Sequence, residues 1–232
     1  MHFFHSANIG LTSGTNNRLY CHFYTLGIHI LPIKFTHYLI LKKYMRKLTA
    51  AINITLDGFC DHTAIIPADE MHEHYTDLLN KADAILYGRI TYQLMEYWQT
   101  IVKDPTGDKA EDEFAIAIDN IPKIVFSNTL NNIEWESAKL ATRSLKDEVI
   151  ALKQQTGKKI LVGSPSLIVA LTKLNLIDEY QLCVHPVIVG NGLPLFKNIS
   201  EKVTLKFLKS KTFDFGAVAL YYEPKKNDNT LN

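Results

Sequence analysis

From Lys47 onward, polar and apolar positions alternate. Leu48, Ala50, Ile52 and Ile54 fall on one side of an extended chain, the period-two pattern of a strand packed on one face. Asp57-Gly58 ends it in a turn. Asp69 is placed to cap a helix that carries Tyr75, Leu78 and Leu79 inward. Ala84-Ile85-Leu86-Tyr87 reads as a buried strand. Gly88-Arg89-Ile90-Thr91 then turns it into a helix with Ile90, Leu94 and Trp98 on one side. Lys103 to Glu113 is polar enough for a surface loop, followed by a short helix to about Ile118. Lys123-Ile124-Val125-Phe126 forms a third short strand, ending at Ser127-Asn128-Thr129.

Ser144 and Asp147 have the spacing of a capping box ahead of the stripe Leu145, Val149 and Leu152, and Gly157 stops that helix. Lys158-Lys159-Ile160-Leu161-Val162 is again a strand that breaks at glycine. Ser164 suits an N-cap and Pro165 a first helical position, ahead of Leu167, Ala170, Leu171 and Leu174. Tyr180 to Val189 reads as a long strand closed by Gly190-Asn191-Gly192. Val203, Leu205 and Phe207 alternate, and Ala217 to Tyr222 is the last strand. Strands alternating with helices, then a strand-rich tail, predict an α/β fold: a mixed, mostly parallel sheet with helices on both faces and antiparallel C-terminal strands.

Residues 1–44 break this rhythm. Aromatics are mixed with His2, His5, His22, His29 and His37, while Pro32 and Lys34 spoil any membrane span. The pattern starts so sharply after Met45 that Met45 is read as the functional start. Residues 1–44 are then an extension, poorly ordered or not native, with a peripheral membrane or regulatory tail as the alternative. Residues 45–226 form one domain and 227–232 a polar tail. A chain of 232 residues that is 47% hydrophobic can bury one good-sized core. Its net charge of +1 gives no electrostatic reason to bind nucleic acid or an anionic membrane. Cys21, Cys60 and Cys183 make no metal or disulfide spacing, which points to a reducing, cytoplasmic setting.

Three strand ends carry donors suited to a dinucleotide: Gly88-Arg89-Ile90-Thr91, Ser127-Asn128-Thr129 and Gly163-Ser164. In an open α/β sheet, ligands sit outside the carboxyl ends of the strands, and a small-residue turn into a helix lets N–H groups approach phosphate. Neither Gly-x-Gly-x-x-Gly nor a Walker lysine is present, which argues against a Rossmann dehydrogenase or a P-loop enzyme.

Six segments together resemble a known family. They are Thr55–Phe59, Ala82–Tyr92, Lys123–Ser127, Gly163–Leu167, Leu176–Tyr180 and His185–Phe196. In order and spacing they are similar to the dihydrofolate reductase-like family that includes the C-terminal reductase domain of the bifunctional riboflavin-biosynthesis protein. The resemblance implies an NADPH-dependent reductase of a pyrimidine- or pteridine-like small molecule, with NADH not excluded, working as a homodimer. It would set Gly88, Arg89 and Thr91 near the pyrophosphate and Ser127 and Asn128 near the adenosine ribose or its 2′-phosphate. Gly163, Ser164 and Leu167 would again face the pyrophosphate. Asp57, leaving the first strand beside the expected nicotinamide, is either the carboxyl that supplies or organises the proton or a turn residue bonding its own backbone.

The departures narrow the substrate. Riboflavin-pathway reductases usually carry a lysine where this chain has Ala51, a glutamate where it has Val162 and, in many relatives, an arginine where it has Asn128. Arg89 or Arg143 would have to replace that last charge to favour NADPH. Dihydrofolate reductase proper is a second enzyme reading, weakened because no carboxylate is evident on the first helix. A nucleotide-binding protein without turnover is a third. His72-Glu73-His74, near Asp61 and His62, invites a metal, but residues two apart on a helix face away from each other. Cys60 reads as a packed thiol, Tyr97 and Trp98 as core or interface residues. Phe213, Tyr221 and Tyr222 read as an exposed surface that pairs two subunits.

Overall fold

The elements run β1 (Leu48–Thr55), α1 (Asp69–Asn80), β2 (Ala82–Gly88), α2 (Arg89–Met95), α3 (Trp98–Lys103), α4 (Lys109–Asn120), β3 (Lys123–Phe126), β4 (Ala138–Leu140), α5 (Leu145–Lys153), β5 (Lys159–Val162), α6 (Pro165–Lys173), β6 (Glu179–His185), β7 (Leu205–Thr212) and β8 (Val218–Pro224). The computed structural model describes residues 45–65 and 67–225. The expected extension over 1–44 and the tail over 227–232 lie outside the described residues.

The strands form one sheet in the order β4-β3-β2-β5-β1-β6-β8-β7. Pairing is parallel from β4 through β6 and antiparallel between β6 and β8 and between β8 and β7. Each central strand serves two cores, because successive side chains point to opposite faces. Leu48, Ala50, Leu86, Ile160 and Val162 pack with Val149 and Leu152 of α5 and Ile168 and Leu171 of α6. Ala51, Ile85, Val125 and Leu161 pack on the other side with Leu78 and Leu79 of α1 and Ile118 of α4. The first strand is therefore buried on both faces, not one, as parallel strands between helix layers must be.

Local signals held where the partner was also local. Ser144 Oγ accepts the Asp147 N–H at 3.2 Å and donates to its carboxylate at 2.6 Å. Other expectations need correction. Ala68, not Asp69, is the N-cap of α1, and Asp69 and Glu70 occupy its first turn, where the helix dipole favours acids. The supposed loop before Glu113 is shorter, because Asp108 caps α4 by accepting the Glu111 N–H at 2.8 Å. β6 ends at His185 because Pro186 offers no ladder donor. Ile90 and Leu94 are exposed and Tyr92 is the buried residue of α2; Trp98 starts a separate helix. Phe213 and Tyr221 are buried, whereas Phe207 and Leu208 are exposed on edge strand β7.

His74 of α1 packs edge-on against Phe213, and its Nε2 lies 2.6 Å from the Gln181 side chain. Burial first, then Lys211 and Lys209 against the opposing Asp77, push its pKa down to about 4. The unfolded chain takes up a proton near pH 6.5 that the folded one refuses, so stability falls as pH drops between those values. Allowing for partial exposure, the loss is about 2 kcal/mol. Melting temperatures of wild type and His74→Gln at pH 7 and pH 4.5 test this. The acid-induced drop is expected to be smaller in the variant by several degrees, and an equal drop would refute it.

Candidate functional site

β3, β2 and β5 are neighbours, so their carboxyl ends lie side by side. The register pairs Gly88 with Phe126 and Leu86 with Val162. The three segments singled out in the sequence, Gly88-Arg89-Ile90-Thr91, Ser127-Asn128-Thr129 and Gly163-Ser164, therefore leave the sheet at one edge.

Ser164 ties two of them together. Its Oγ accepts the Gly88 N–H at 2.8 Å, a buried bond between residues 76 apart in sequence. Ser164 holds the N-cap position of α6, but its side chain caps nothing. That corrects the sequence expectation: the hydroxyl is engaged across the sheet instead. Pro165 has no N–H, and the Ile168 N–H reaches the Ser164 carbonyl. The Ser166 and Leu167 N–H groups are thus left at an uncapped helix N-terminus, where donors and dipole both favour an anion. The Leu167 side chain is in the core, so only its backbone is available to a ligand. A Cβ on Gly88 would lie 3.4 Å from Ser166 Oγ, which leaves little room above this junction for anything but a hydrogen.

Ser127 organises its own loop. Its Oγ accepts the Thr129 and Leu130 N–H groups at 3.1 and 2.9 Å, with Asn128 exposed at the tip. Arg89 is exposed and donates to Gln93 at 3.1 Å. Arg143 lies 4.0 Å from Glu148.

A cavity of about 460 Å³ opens from this edge along the α1 side of the sheet. Thr91, Gly163 and Pro165 line it where it meets the loops. Its wall is aromatic: His72 stacks on Phe114 at 5.5 Å, and Trp98 meets both edge-on at 5.7 and 4.6 Å. His72 is thus held in that wall while His74 packs elsewhere, and the pair presents no common face to a metal. Cys60 also lines the cavity, and burial pushes its thiol up to about 11, which keeps it protonated and unreactive.

One polar group stands on the sheet side. Tyr75 Oη donates to Asn53 Oδ1 at 2.9 Å, and His185 Nε2 lies 3.2 Å from the same oxygen. Burial lowers the His185 pKa and raises that of Tyr75 well above its ordinary value, so both are neutral at neutral pH. The sequence reading missed Asn53. Its only signal was a polar residue amid the apolar run of β1, on the face not credited with a core.

Asp57 is not among the cavity-lining residues. Its carboxylate accepts the Thr55 hydroxyl at 2.6 Å and the Gly190 and Val189 N–H groups at 2.7 and 3.2 Å. The Thr55 bond, then those to the Gly190 and Val189 backbone, hold its pKa below the usual value. The arrangement pins the turn after β1 to the segment after β6. Ala51 and Val162 are apolar and buried in opposite cores, so neither position puts a charge beside the cavity.

Comparison with known proteins matches residues 46–219 to the RibD C-terminal domain. The uncharacterized protein YyaP of Bacillus subtilis (strain 168) is 34% identical over 184 residues, 76% of this chain and 94% of its own. A putative riboflavin biosynthesis protein from Shewanella sp. PV-4 superposes with a TM-score of 0.60 at 19% identity, over 78% of this chain and 99% of its own. Dihydrofolate reductase from Enterococcus faecalis, complexed with NADP(H), gives 0.52 at 12% identity, over 78% and 97%. The sheet order and its antiparallel C-terminal strands are those of the dihydrofolate reductase-like fold.

Proposed function

This chain belongs to the RibD C-terminal domain family, and on that premise we propose that it is an NADPH-dependent reductase of a small heterocycle related to a pyrimidine or pteridine. The observation that carries the proposal is the uncapped start of α6 beside Gly88, with the cavity opening directly from it. The donor set fits a dinucleotide. Ser166 and Leu167 N–H groups would take the diphosphate, Arg89 would add charge, and Ser127 and Asn128 would lie toward the ribose end. NADPH, when bound, supplies the hydride. The protein's part is to hold the substrate ring in the cavity and keep bulk water from it.

Ribosylaminouracil reduction is the nearest activity in the family, and dihydrofolate reduction is disfavoured by the cavity itself. α1 contributes Met71, His72, Tyr75, Leu78 and Leu79 to the lining, and none of its carboxylates. Free thiols at Cys60 and Cys183 agree with a cytoplasmic setting. The exposed Phe207 and Leu208 on edge strand β7 support a reading as a homodimer paired through that edge. Among the described residues no helix is long and apolar enough to cross a membrane.

Asp57 is assigned a positioning role and not proton donation, because a carboxylate accepting three hydrogen bonds has no proton to give at neutral pH. Cofactor fluorescence with NADPH and NADH tests binding. Oxidation of the bound cofactor on adding dihydrofolate or the ribosylaminouracil tests turnover, and binding without oxidation of either would favour a non-catalytic nucleotide binder. On whichever substrate turns over, Asp57→Asn is expected to keep kcat within about threefold, since the amide oxygen still accepts one N–H. A hundredfold loss at unchanged melting temperature would return Asp57 to the proton path.

A further inference from the structure

We propose that the cavity selects an uncharged, flat heteroaromatic ring without a phosphorylated arm, and that the Asn53 side-chain amide is the group that reads it. The inference deepens the reductase reading and rests on it for the identity of the cavity as the substrate site.

The lining excludes a phosphate. Of the 25 described residues that line the cavity, none is lysine or arginine, and Glu111 is the one carboxylate among them. A phosphate dianion brought into such a space loses its water and finds no lysine or arginine in return, only the imidazoles of His62 and His72 and the carboxylate of Glu111. Neither Ala51 nor Val162 can supply charge from the strands beneath. A neutral ring loses little on entering, and the fixed aromatic wall of His72, Trp98 and Phe114 offers it faces and edges.

The polar recognition is equally constrained. Asn53 Oδ1 is committed to the Tyr75 hydroxyl and faces His185 Nε2. The Tyr75 hydroxyl donates to that oxygen and turns the amide nitrogen away from it, and His185 in its Nε2–H tautomer would add a second donor to the same atom. Asn53 Nδ2 then makes no hydrogen bond to any described residue and is not sealed from solvent. It is a free two-hydrogen donor on the border of a mostly apolar cavity. A ring carbonyl or an unprotonated ring nitrogen is the complementary acceptor. A ligand that covers the amide but lacks such an acceptor would leave it unpaired, the situation in which polar pockets discriminate best.

The test is a titration followed by quenching of Trp98, which lines the cavity, with a Trp98→Phe protein giving the background from Trp135. Lumazine, uridine and UMP are titrated with and without NADPH. Lumazine is expected to bind most tightly, and UMP at least tenfold more weakly than uridine, from which it differs only by the phosphate. UMP binding as well as uridine, or no quenching by lumazine, overturns the proposal. Asn53→Leu is expected to weaken lumazine at least tenfold while leaving the NADPH dissociation constant unchanged. Asn53→Asp, which keeps an acceptor for Tyr75 but removes the donor, should show the same loss should the leucine variant fold poorly. Unchanged lumazine affinity in a folded variant removes Asn53 from the reading. Failure of NADPH to bind strikes the reductase assignment alone, because ring selection is measured separately in its absence.

Discussion

Replacing Ser164 with alanine is expected to weaken NADPH binding at least tenfold and to lower stability by about 2 kcal/mol. The second figure follows from what the hydroxyl does. It accepts the Gly88 N–H at 2.8 Å in a buried position, and removing one partner of a buried hydrogen bond leaves the other paying its full desolvation, roughly 1–3 kcal/mol. No cap is lost, because Ser164 makes none. The functional cost follows from where the bond lies. It holds the carboxyl end of β2 against the start of α6, the two segments whose donors are assigned to one diphosphate. Once Gly88 is free to move, those donors no longer present a fixed geometry, and the ordering cost passes to the ligand. Fluorescence titration with NADPH and a thermal melt measure both. A variant that loses stability but binds NADPH normally would show that the two loops need not be coupled, and the site would have to be redrawn.

That bond also marks where the sequence was legible and where it was not. The strand–glycine–helix junctions at Gly88 and Gly163 were visible because each sets a glycine between a short apolar run and a helical pattern, and the second adds a proline at the first helical position and a stripe of leucines. The partner of Ser164 was not visible, because it lies 76 residues away and the local rule for serine before a helix gives a different answer. Tyr92 illustrates the same limit. Ile90, Leu94 and Trp98 satisfy helical spacing, but spacing fixes a period and not a phase. The phase is set by how the junction at Gly88 aims α2, which turns Tyr92 inward toward Trp135. β4 is only three residues long, too short for alternation to register. Asn53 was passed over for a related reason. With one face of β1 credited to the core, the opposite face was free to be polar, whereas the sheet buries both and makes an isolated amide there informative.

The largest loss of stability is expected at the far end of the sheet, with Asp178→Ala. Asp178 Oδ2 accepts Lys153 Nζ at 2.5 Å and the Leu48 N–H at 2.8 Å, and Lys153 also donates to the Leu176 carbonyl at 3.1 Å. One carboxylate therefore joins the start of β1, the end of α5 and the approach to β6. The Lys153 side chain is only 10% exposed, so alanine at 178 would strand a nearly buried ammonium and a backbone donor together. Breaking such a pair from one side costs about 3–5 kcal/mol, and the 35% exposure of the Asp178 side chain sets the expectation near 3 kcal/mol. In a fold of this size that is a drop of roughly 6–12 °C in melting temperature. Lys153→Met with Asp178→Asn should restore most of it, because the charge is then gone and the amide oxygen still accepts the Leu48 N–H. The NADPH dissociation constant of the folded fraction should not move. Ligands gather at the carboxyl ends of the strands, whereas this ion pair closes the amino ends. An Asp178→Ala protein that melts normally, or whose cofactor affinity falls with its stability, would break that division of labour between the two ends of the sheet.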